Sequence, residues 1–167
     1  GYAYRNAQNP LALVTDGPLA TPIFIDWDSD GDADLFVGND SGTFRYYRND
    51  GTPQVASFVT ATSPLSAVSV GGNADGTFCD WDGDGDEDVV IGYDDGVTGY
   101  LAYYRNDFGV YTEVPSVENP FDGLTSGLLT HVRPAMEDTD FDGDFDIFIG
   151  DESGIVRFLE NTGQPTS

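Results

Sequence analysis

Short runs of apolar residues alternate with polar, glycine-rich turns along the whole chain. The runs are rich in Val, Ile, Phe and Tyr, and Gly, Asp, Asn and Pro bound them, which is typical of β-strands. No segment keeps apolar residues at a helical period over several turns. The pattern therefore predicts an all-β protein.

The same order of segments occurs three times. An acidic segment is followed by three apolar residues and Gly, then by a polar turn and an aromatic segment that ends in Asn. The acidic segments begin at intervals of 54 and 58 residues, at Asp26, Asp80 and Asp138, and the aromatic segments end at Asn49, Asn106 and Asn161. A period of this length indicates a repeat architecture in which each repeat forms one structural unit.

Each repeat is expected to form four strands. In the first repeat the predicted strands are Pro22–Asp26, Asp34–Val37, Thr43–Arg48 and Ala56–Ala61. The repeats are expected to span approximately residues 7–49, 50–106 and 107–161 of a single repeat domain, 1–167. Residues 1–6 match the end of the aromatic segment, so we expect an orphan strand there, the last of a preceding repeat.

The second repeat is longer than the other two. Fourteen steps separate Gly92 from Asn106, against eleven between the equivalent residues of the first and third repeats. We expect the three extra residues in the turn that follows Gly92.

The acidic segments place Asp at positions 1, 3, 5, 7 and 9 and Gly at position 6. Five carboxylates within nine residues repel one another, by roughly 1 kcal/mol per pair at about 4 Å even in water, unless a cation lies among them. Oxygen ligands at alternate positions, with a central Gly for a sharp turn, are typical of calcium sites. The segments therefore predict about three calcium ions per chain, with metal-site residues Asp26, Asp28, Asp30, Asp32, Asp34, Asp80, Asp82, Asp84, Asp86, Asp88, Asp138, Asp140, Asp142, Asp144 and Asp146.

Two common calcium loops do not fit these segments. An EF-hand loop needs a bidentate Glu at position 12 and flanking helices, but position 12 is Val37, Ile91 or Ile149. The calcium repeats of β-helices recur every nine residues, whereas these acidic segments recur at intervals of 54 and 58 residues.

The motif Asp-x-Asp-x-Asp-Gly-Asp-x-Asp, followed by three apolar residues, Gly and an aromatic strand ending in Asn, resembles the FG-GAP and VCBS-like repeat family of integrin-type propeller blades. The resemblance implies β-propeller-like blades of four antiparallel strands, with each calcium loop joining two adjacent strands. It also implies side-chain ligands at positions 1, 3, 5 and 9. Position 7 would give its backbone oxygen, with the carboxylates of Asp32, Asp86 and Asp144 facing outward. Propellers close with four to eight blades, so three repeats and a strand are expected to form an arc or part of an assembly.

The net charge limits the possible partners. The chain has 30 acidic residues, six basic residues and a net charge of −24, which three calcium ions would reduce to −18. So negative a chain disfavours nucleic acid and anionic membranes, which need basic surface. No apolar stretch is long enough for membrane insertion as a helix. Sites of modest affinity are filled where calcium is millimolar, so we expect an extracellular or cell-surface location.

Three other residues are of chemical interest. Cys79 is the only cysteine and follows apolar residues, so we expect a buried thiol. His131 is the only histidine and has no nucleophile at a motif spacing, so we expect no catalytic role and no enzyme. Asn39-Asp-Ser41 is an N-glycosylation sequon on a predicted turn, which would make the chain a glycoprotein.

The sequence thus indicates an extracellular calcium-binding module with a structural or adhesive role. Its partners are expected to be other proteins or further copies, bound through exposed blade edges in a surface structure or filament. Two alternatives stay open. One is a carbohydrate-binding, lectin-like propeller, because aromatic strands can stack on glycans, and the other is an accessory domain of a secreted polysaccharide-active enzyme.

Overall fold

The computed structural model describes residue 11 and residues 16–52, 54–125, 127–128 and 130–163. Within these ranges eleven strands form three antiparallel sheets. Blade 1 contains β1 Thr21–Ile25, β2 Asp34–Gly38, β3 Phe44–Asn49 and β4 Phe58–Ala61; blade 2 contains β5 Gly72–Cys79, β6 Asp88–Asp94, β7 Gly99–Asp107 and β8 Val110–Glu113; blade 3 contains β9 Arg133–Glu137, β10 Asp146–Gly150 and β11 Val156–Leu159. This architecture confirms the all-β, propeller-like prediction.

The strand boundaries of blade 1 lie within two residues of those predicted. Each strand pairs with the next one in the chain, so a blade is a simple meander. The division into repeats that end at Asn stays a prediction, and the orphan strand at residues 1–6 lies outside the described residues.

Blade 2 uses its three extra residues differently from the prediction. The turn itself spans only residues 95–98, because β6 and β7 continue to pair beyond Gly92. Tyr93 pairs with Tyr100, and their rings stack at a centroid distance of 5.2 Å. Cross-strand aromatic stacking of this kind stabilises a longer hairpin.

Blade 3 has three strands in the described part of the chain, against four in blades 1 and 2. The outer edge of β11 therefore pairs with no strand among the described residues. A short 3₁₀ segment, Asp122–Thr125, lies between β8 and β9. No described helix is long and apolar enough to cross a membrane.

The blades pack face to face, and alternation along the strands decides which side chain enters which core. Phe36, at position 11 of the first repeat, packs toward Val89 and Ile91 of blade 2. Val90, at position 11 of the second repeat, enters the next core with Ile147 and Ile149 of blade 3. Each blade thus has two faces. The N-side face carries positions 10 and 12 of the repeat and points toward the preceding part of the chain, and the C-side face carries position 11 and points toward the following blade.

The connections between blades complete these cores. Leu65 and Val68 precede β5 and are buried with blades 1 and 2. Phe121 and Leu128 precede β9 and are buried with blades 2 and 3. Leu11, which precedes β1, packs on the N-side face of blade 1.

The Gly that ends each apolar run marks a close approach between blades. A Cβ on Gly38 would lie 2.2 Å from the Ala74 carbonyl oxygen, and one on Gly92 would lie 2.3 Å from that of Val132. No side chain fits at such distances, so the backbone of the next blade requires Gly at these two positions.

Candidate metal centres

The three acidic segments form the loops that join the first two strands of each blade. Position 6 has a left-handed backbone in all three loops, with φ of 95°, 96° and 97° at Gly31, Gly85 and Gly143. Only Gly adopts such angles without strain. The shared backbone shows that the repeated sequence folds into one repeated loop.

The position-1 carboxylate closes each loop from inside. Both oxygens of Asp26 accept backbone hydrogen bonds, from the N–H groups of Asp30 and Gly31, each at 3.1 Å. Asp138 accepts the equivalent pair, from Asp142 and Gly143, and Asp80 accepts the N–H groups of Gly83 and Gly85, at positions 4 and 6. These bonds hold the loop curled around its first carboxylate.

Further carboxylates continue the pattern toward the end of each loop. The N–H groups of the position-7 residues donate to position 5 at 3.0, 2.9 and 3.0 Å, in Asp30, Asp84 and Asp142. Asp82 and Asp140, at position 3, also accept backbone bonds, each at 3.3 Å.

The structure brings the carboxylates of positions 1, 3 and 5 together. In every loop, one ligand oxygen from each of the three residues lies within 4.8 Å of the other two. The three groups are Asp26, Asp28 and Asp30; Asp80, Asp82 and Asp84; and Asp138, Asp140 and Asp142. Most of these side chains face solvent, so an ion can reach them from outside.

The concentration of negative charge changes the acidity of the loops. Loss of water contact, and then the negative charge of Asp30, raise the pKa of Asp28 and Asp32 above the ordinary value. Loss of water contact also raises the pKa of Asp82 and Asp144, followed by the negative charge of Asp84 for Asp82 and of Asp142 for Asp144. A raised carboxyl pKa means that the folded loop disfavours its own negative charge, which a cation among the carboxylates would offset.

The carboxylates at position 7 are not placed as predicted. We expected them to face outward. Asp32 and Asp144 are buried, each with 7% of its surface exposed. The Oδ1 atom of Asp32 is buried without a hydrogen-bond partner in the described part of the chain. Asp86 is half-buried and accepts the N–H of Phe108 at 2.9 Å.

The position-9 carboxylates do not join the exposed groups. They are buried at the root of each loop and bind the third strand of their own blade. Asp34 accepts the Tyr46 hydroxyl at 2.6 Å and the Asn49 N–H at 2.7 Å. Asp88 accepts the same two groups from Tyr103 and Asn106, each at 2.7 Å.

Blade 3 makes the same connection with a different donor. The residue three positions before its final Asn is Phe158, which has no hydroxyl. Thr139, at position 2 of the loop, donates its hydroxyl to Asp146 instead, and the Asn161 N–H donates to the other oxygen at 2.8 Å. The hydrogen bond from Thr139 lowers the pKa of Asp146, whereas loss of water contact raises that of Asp88.

The Asn residues that end the aromatic segments are functional residues that the sequence alone did not reveal. The side-chain N–H₂ groups of Asn49 and Asn106 donate to the carbonyl oxygens of Ala33 and Glu87, at position 8 of their loops. Their repeated spacing was visible in the sequence. Their partners were not, because the bonds join residues 16 and 19 positions apart.

The donor set fits a hard divalent cation. All the grouped ligands are carboxylate oxygens, as calcium prefers, and in the first loop the buried Oδ1 of Asp32 has no hydrogen-bond partner among the described residues. Positions 1, 3 and 5 would hold the ion, and it would supply positive charge at the point where two strands of the blade meet. Ligation by positions 7 and 9 stays a prediction.

Asn39, the predicted glycosylation site, is buried with 6% of its surface exposed. Its side-chain N–H₂ donates to the Thr43 hydroxyl at 3.0 Å, and its carbonyl oxygen accepts the Ser41 N–H. The folded chain therefore does not present this nitrogen to a glycan-transferring enzyme.

Cys79 is buried as predicted, and loss of water contact raises the pKa of its thiol.

A cavity of about 270 Å³ lies between the second and third loops. Its lining includes Trp81 and Asp82 of the second loop and Asp144 and Phe145 of the third. The equivalent Trp27 of the first loop packs instead against Tyr111 on β8, at a ring centroid distance of 5.8 Å.

No curated protein matches the chain, but the family model for the FG-GAP-like repeat matches residues 26–91, from the first acidic loop to the end of the second apolar run. The matched segment contains the first two acidic loops and the whole of strands β2 to β5. Residues 26–91 are thus similar to the FG-GAP-like repeat, which confirms over that segment the resemblance that the sequence predicted.

Proposed function

We propose that the chain is an extracellular, non-catalytic, calcium-binding module with a structural or adhesive role. The single observation that carries the proposal is the set of three carboxylate groups with one repeated geometry, each at the junction of two strands. One such group is common on protein surfaces. Three in equivalent positions, each on a left-handed Gly turn, indicate a shared ligand.

Calcium would act by stabilising the folded blades. An ion that binds only the folded state adds RT ln(1 + [L]/Kd) to the free energy of unfolding, about 2.7 kcal/mol per site at 100 times Kd. Millimolar calcium outside cells fills sites of modest affinity, which supports the extracellular location. The role of the ions is therefore to hold the loops closed, with no chemistry at a substrate.

Thermal unfolding with and without calcium tests this proposal. We expect a large loss of melting temperature on chelation, restored by calcium and much less by magnesium, which keeps its waters and fits such cages poorly. Asp80→Asn with Asp82→Asn should remove part of the calcium effect. Asp40→Asn, in an exposed turn outside the three loops, is the matched control. Equal melting temperatures in calcium and in chelator would refute the proposal.

The proposed partners are proteins that dock on the exposed apolar faces and strand edges of the outer blades. Support comes from the exposed Phe24 and Phe158 and from β11, which has no strand paired on its outer edge within the described ranges. Edges of this kind accept further strands.

A carbohydrate-binding role is the second candidate, and the cavity between the second and third loops favours it. Trp81 lines this cavity together with Asp82 and Asp144, so an aromatic surface and carboxylates that can accept hydrogen bonds from sugar hydroxyls lie in one place. A glycan array with the unmodified chain and with Trp81→Ala tests it. Binding that depends on Trp81 would support a lectin-like module, and no binding in calcium would reject one.

A further inference from the structure

Asp-Gly peptide bonds are unusually frequent in this chain, and each one is a place where the backbone can react with a side chain. Gly has no Cβ, so its backbone nitrogen is unhindered and can approach the carboxyl group of the preceding Asp. The chain has nine such bonds, at residues 16–17, 30–31, 50–51, 75–76, 82–83, 84–85, 95–96, 122–123 and 142–143.

The hydrogen bonds of the Gly N–H groups distinguish these nine sites. In the described part of the chain, seven of the Gly N–H groups donate to a side-chain oxygen. For six of them the acceptor lies two to five residues before the Gly, which directs the nitrogen away from its own neighbour. The seventh is Gly76, whose N–H donates to Oδ1 of Asp75, the residue directly before it, at 3.0 Å.

This contact brings the two reacting groups together. The carboxyl carbon of Asp75 is bonded to the oxygen that the Gly76 nitrogen contacts. Reacting groups held about 3–3.5 Å apart are in a near-attack arrangement, and holding them there removes much of the entropic barrier to reaction. Among the seven Asp-Gly bonds, only Asp75–Gly76 is held in this way.

The strand around Asp75 is less tightly held than the centre of a sheet. Strand β5 is the first strand of blade 2 and pairs only with β6 among the described strands. The register of this pairing shifts between Gly72 and Asp75. A register irregularity disrupts the ladder locally, so the backbone at Asp75 has more freedom than a regular ladder allows.

The carboxyl group of Asp75 is also in a favourable state. Its side chain is only 17% exposed. Burial raises the pKa of Asp75, although the nearby Arg133 acts in the opposite direction. The neutral carboxylic acid, which a raised pKa favours, is the form that can lose water when a nitrogen attacks it.

We propose that Asp75–Gly76 is a site of spontaneous succinimide formation in the folded chain, and that it converts slowly to isoaspartate. The Gly76 nitrogen bonds to Cγ of Asp75, the bond from Cγ to its hydroxyl breaks, and the hydroxyl leaves with the amide proton as one water. Water then opens the ring. Opening at Cγ restores Asp75, whereas opening at the backbone carbonyl carbon gives isoaspartate, whose main chain runs through Cβ and Cγ.

The modification would weaken the joint between blades 2 and 3. Nη1 of Arg133, on β9, contacts Oδ2 of Asp75 at 3.1 Å and so links the two blades. Isoaspartate adds one carbon to the main chain of β5 and shortens the side chain that carries the carboxylate. It therefore disturbs both the pairing of Asp75 with Gly92 and the contact with Arg133, and the modified chain should melt at a lower temperature. None of these steps depends on calcium binding.

Incubation of the full chain in water labelled with heavy oxygen tests the proposal. Each succinimide that opens takes up one labelled oxygen, and tandem mass spectrometry of peptides locates the label. In folded chain kept in millimolar calcium, Asp75 should gain label about tenfold faster than the Asp of any other Asp-Gly bond, because only Asp75 is held in the attack geometry. Isoaspartate should accumulate at the same position.

Gly76→Ala removes the reaction while leaving the fold intact. A Cβ at this position would lie 3.5 Å from its nearest neighbours, an ordinary contact, and the φ of Gly76 is not left-handed. The added methyl group hinders the nitrogen, so labelling at Asp75 should fall about tenfold. Gly123→Ala, where a Cβ would meet nothing within 4 Å, is the matched control and should leave labelling at Asp75 unchanged.

Asp75→Glu is a second variant, which keeps the carboxyl group but would require a larger ring, so labelling at this position should disappear. Melting curves of all variants show that they fold. A parallel incubation in denaturant separates the effect of the fold from that of the sequence, because the preference for Asp75 should vanish in the unfolded chain. Equal labelling of all nine sites in the folded chain, a preference that persists in denaturant, or labelling that Gly76→Ala leaves unchanged would overturn the inference.

Discussion

At the scale of single residues, the position-9 carboxylates connect the loops to the sheets. Asp34, Asp88 and Asp146 are buried at 1%, 0% and 1% exposure and each accepts hydrogen bonds on both oxygens. Such bonds are strong because the acceptor is charged. They fix the root of each loop to the end of the third strand, so the blade and the acidic group are positioned together.

Replacing the Tyr46 hydroxyl tests this connection. Tyr46→Phe keeps the ring that packs on Phe36 but removes a buried donor to Asp34. We expect a loss of about 1.5–3 kcal/mol in the free energy of unfolding, measured by urea titration in calcium. Tyr100→Phe removes an exposed hydroxyl, 3.0 Å from Asp95, and should cost less than about 0.5 kcal/mol. Equal costs would contradict the assigned role of Asp34.

The exchange of donors in blade 3 shows what the sequence could not predict. The sequence showed Asp at position 9 and Asn at the strand end, but their contact depends on the folded sheet. In the sequence, the third repeat has Phe158 where the other two have Tyr. Only the structure shows that the Thr139 hydroxyl replaces the missing Tyr hydroxyl as a donor to Asp146. The burial of Asp32 and Asp144 escaped prediction for the same reason.

At the scale of strands and loops, prediction was most successful where the signal is local. Alternating apolar residues and Gly-containing turns located the strands of blade 1 to within two residues. The longer β6–β7 hairpin was not predicted, because its extension depends on pairing across the turn, as between Tyr93 and Tyr100. Buried tyrosines on the paired strands also make the stability of the sheets depend on pH.

Alkaline pH should unfold the sheets. Loss of water contact raises the pKa of Tyr47 and Tyr104 from 10.0 to about 12. A raised tyrosine pKa favours the neutral phenol in the folded state, so this stability is complete below pH 10 and is lost as pH rises toward 12.

Tyrosinate absorbance and circular dichroism, followed together in an alkaline titration, check this prediction. We expect the two signals to change together, since the phenols ionise as the strands unfold. Tyr47→Phe should reduce the loss of stability. Ionisation of all tyrosines near pH 10 in a chain that stays folded would contradict it.

At the scale of the whole molecule, negative charge opposes the compact fold. Sixteen of the 30 acidic residues, fifteen Asp and Glu87, lie in the three loops, and the net charge is −24. Most carboxylates at positions 1, 3 and 5 of the loops are exposed, so the repulsion is both local and collective. Calcium and salt are expected to relieve it by different mechanisms.

Sodium chloride should therefore stabilise the chain mainly when calcium is absent. The screening length falls from about 10 Å at 0.1 M salt to about 3 Å at 1 M, which weakens repulsion between loop carboxylates. Melting temperatures measured across this range in chelator should rise clearly, and those in saturating calcium should rise less. Identical slopes in both series would show that loop charge does not limit stability.

A count of bound calcium by native mass spectrometry tests most directly whether the acidic loops are ion sites. Three carboxylate groups of equivalent geometry predict three ions per chain, one fewer for each loop whose carboxylates are replaced by Asn. Fewer than two ions in millimolar calcium would contradict calcium binding as the shared function of the loops.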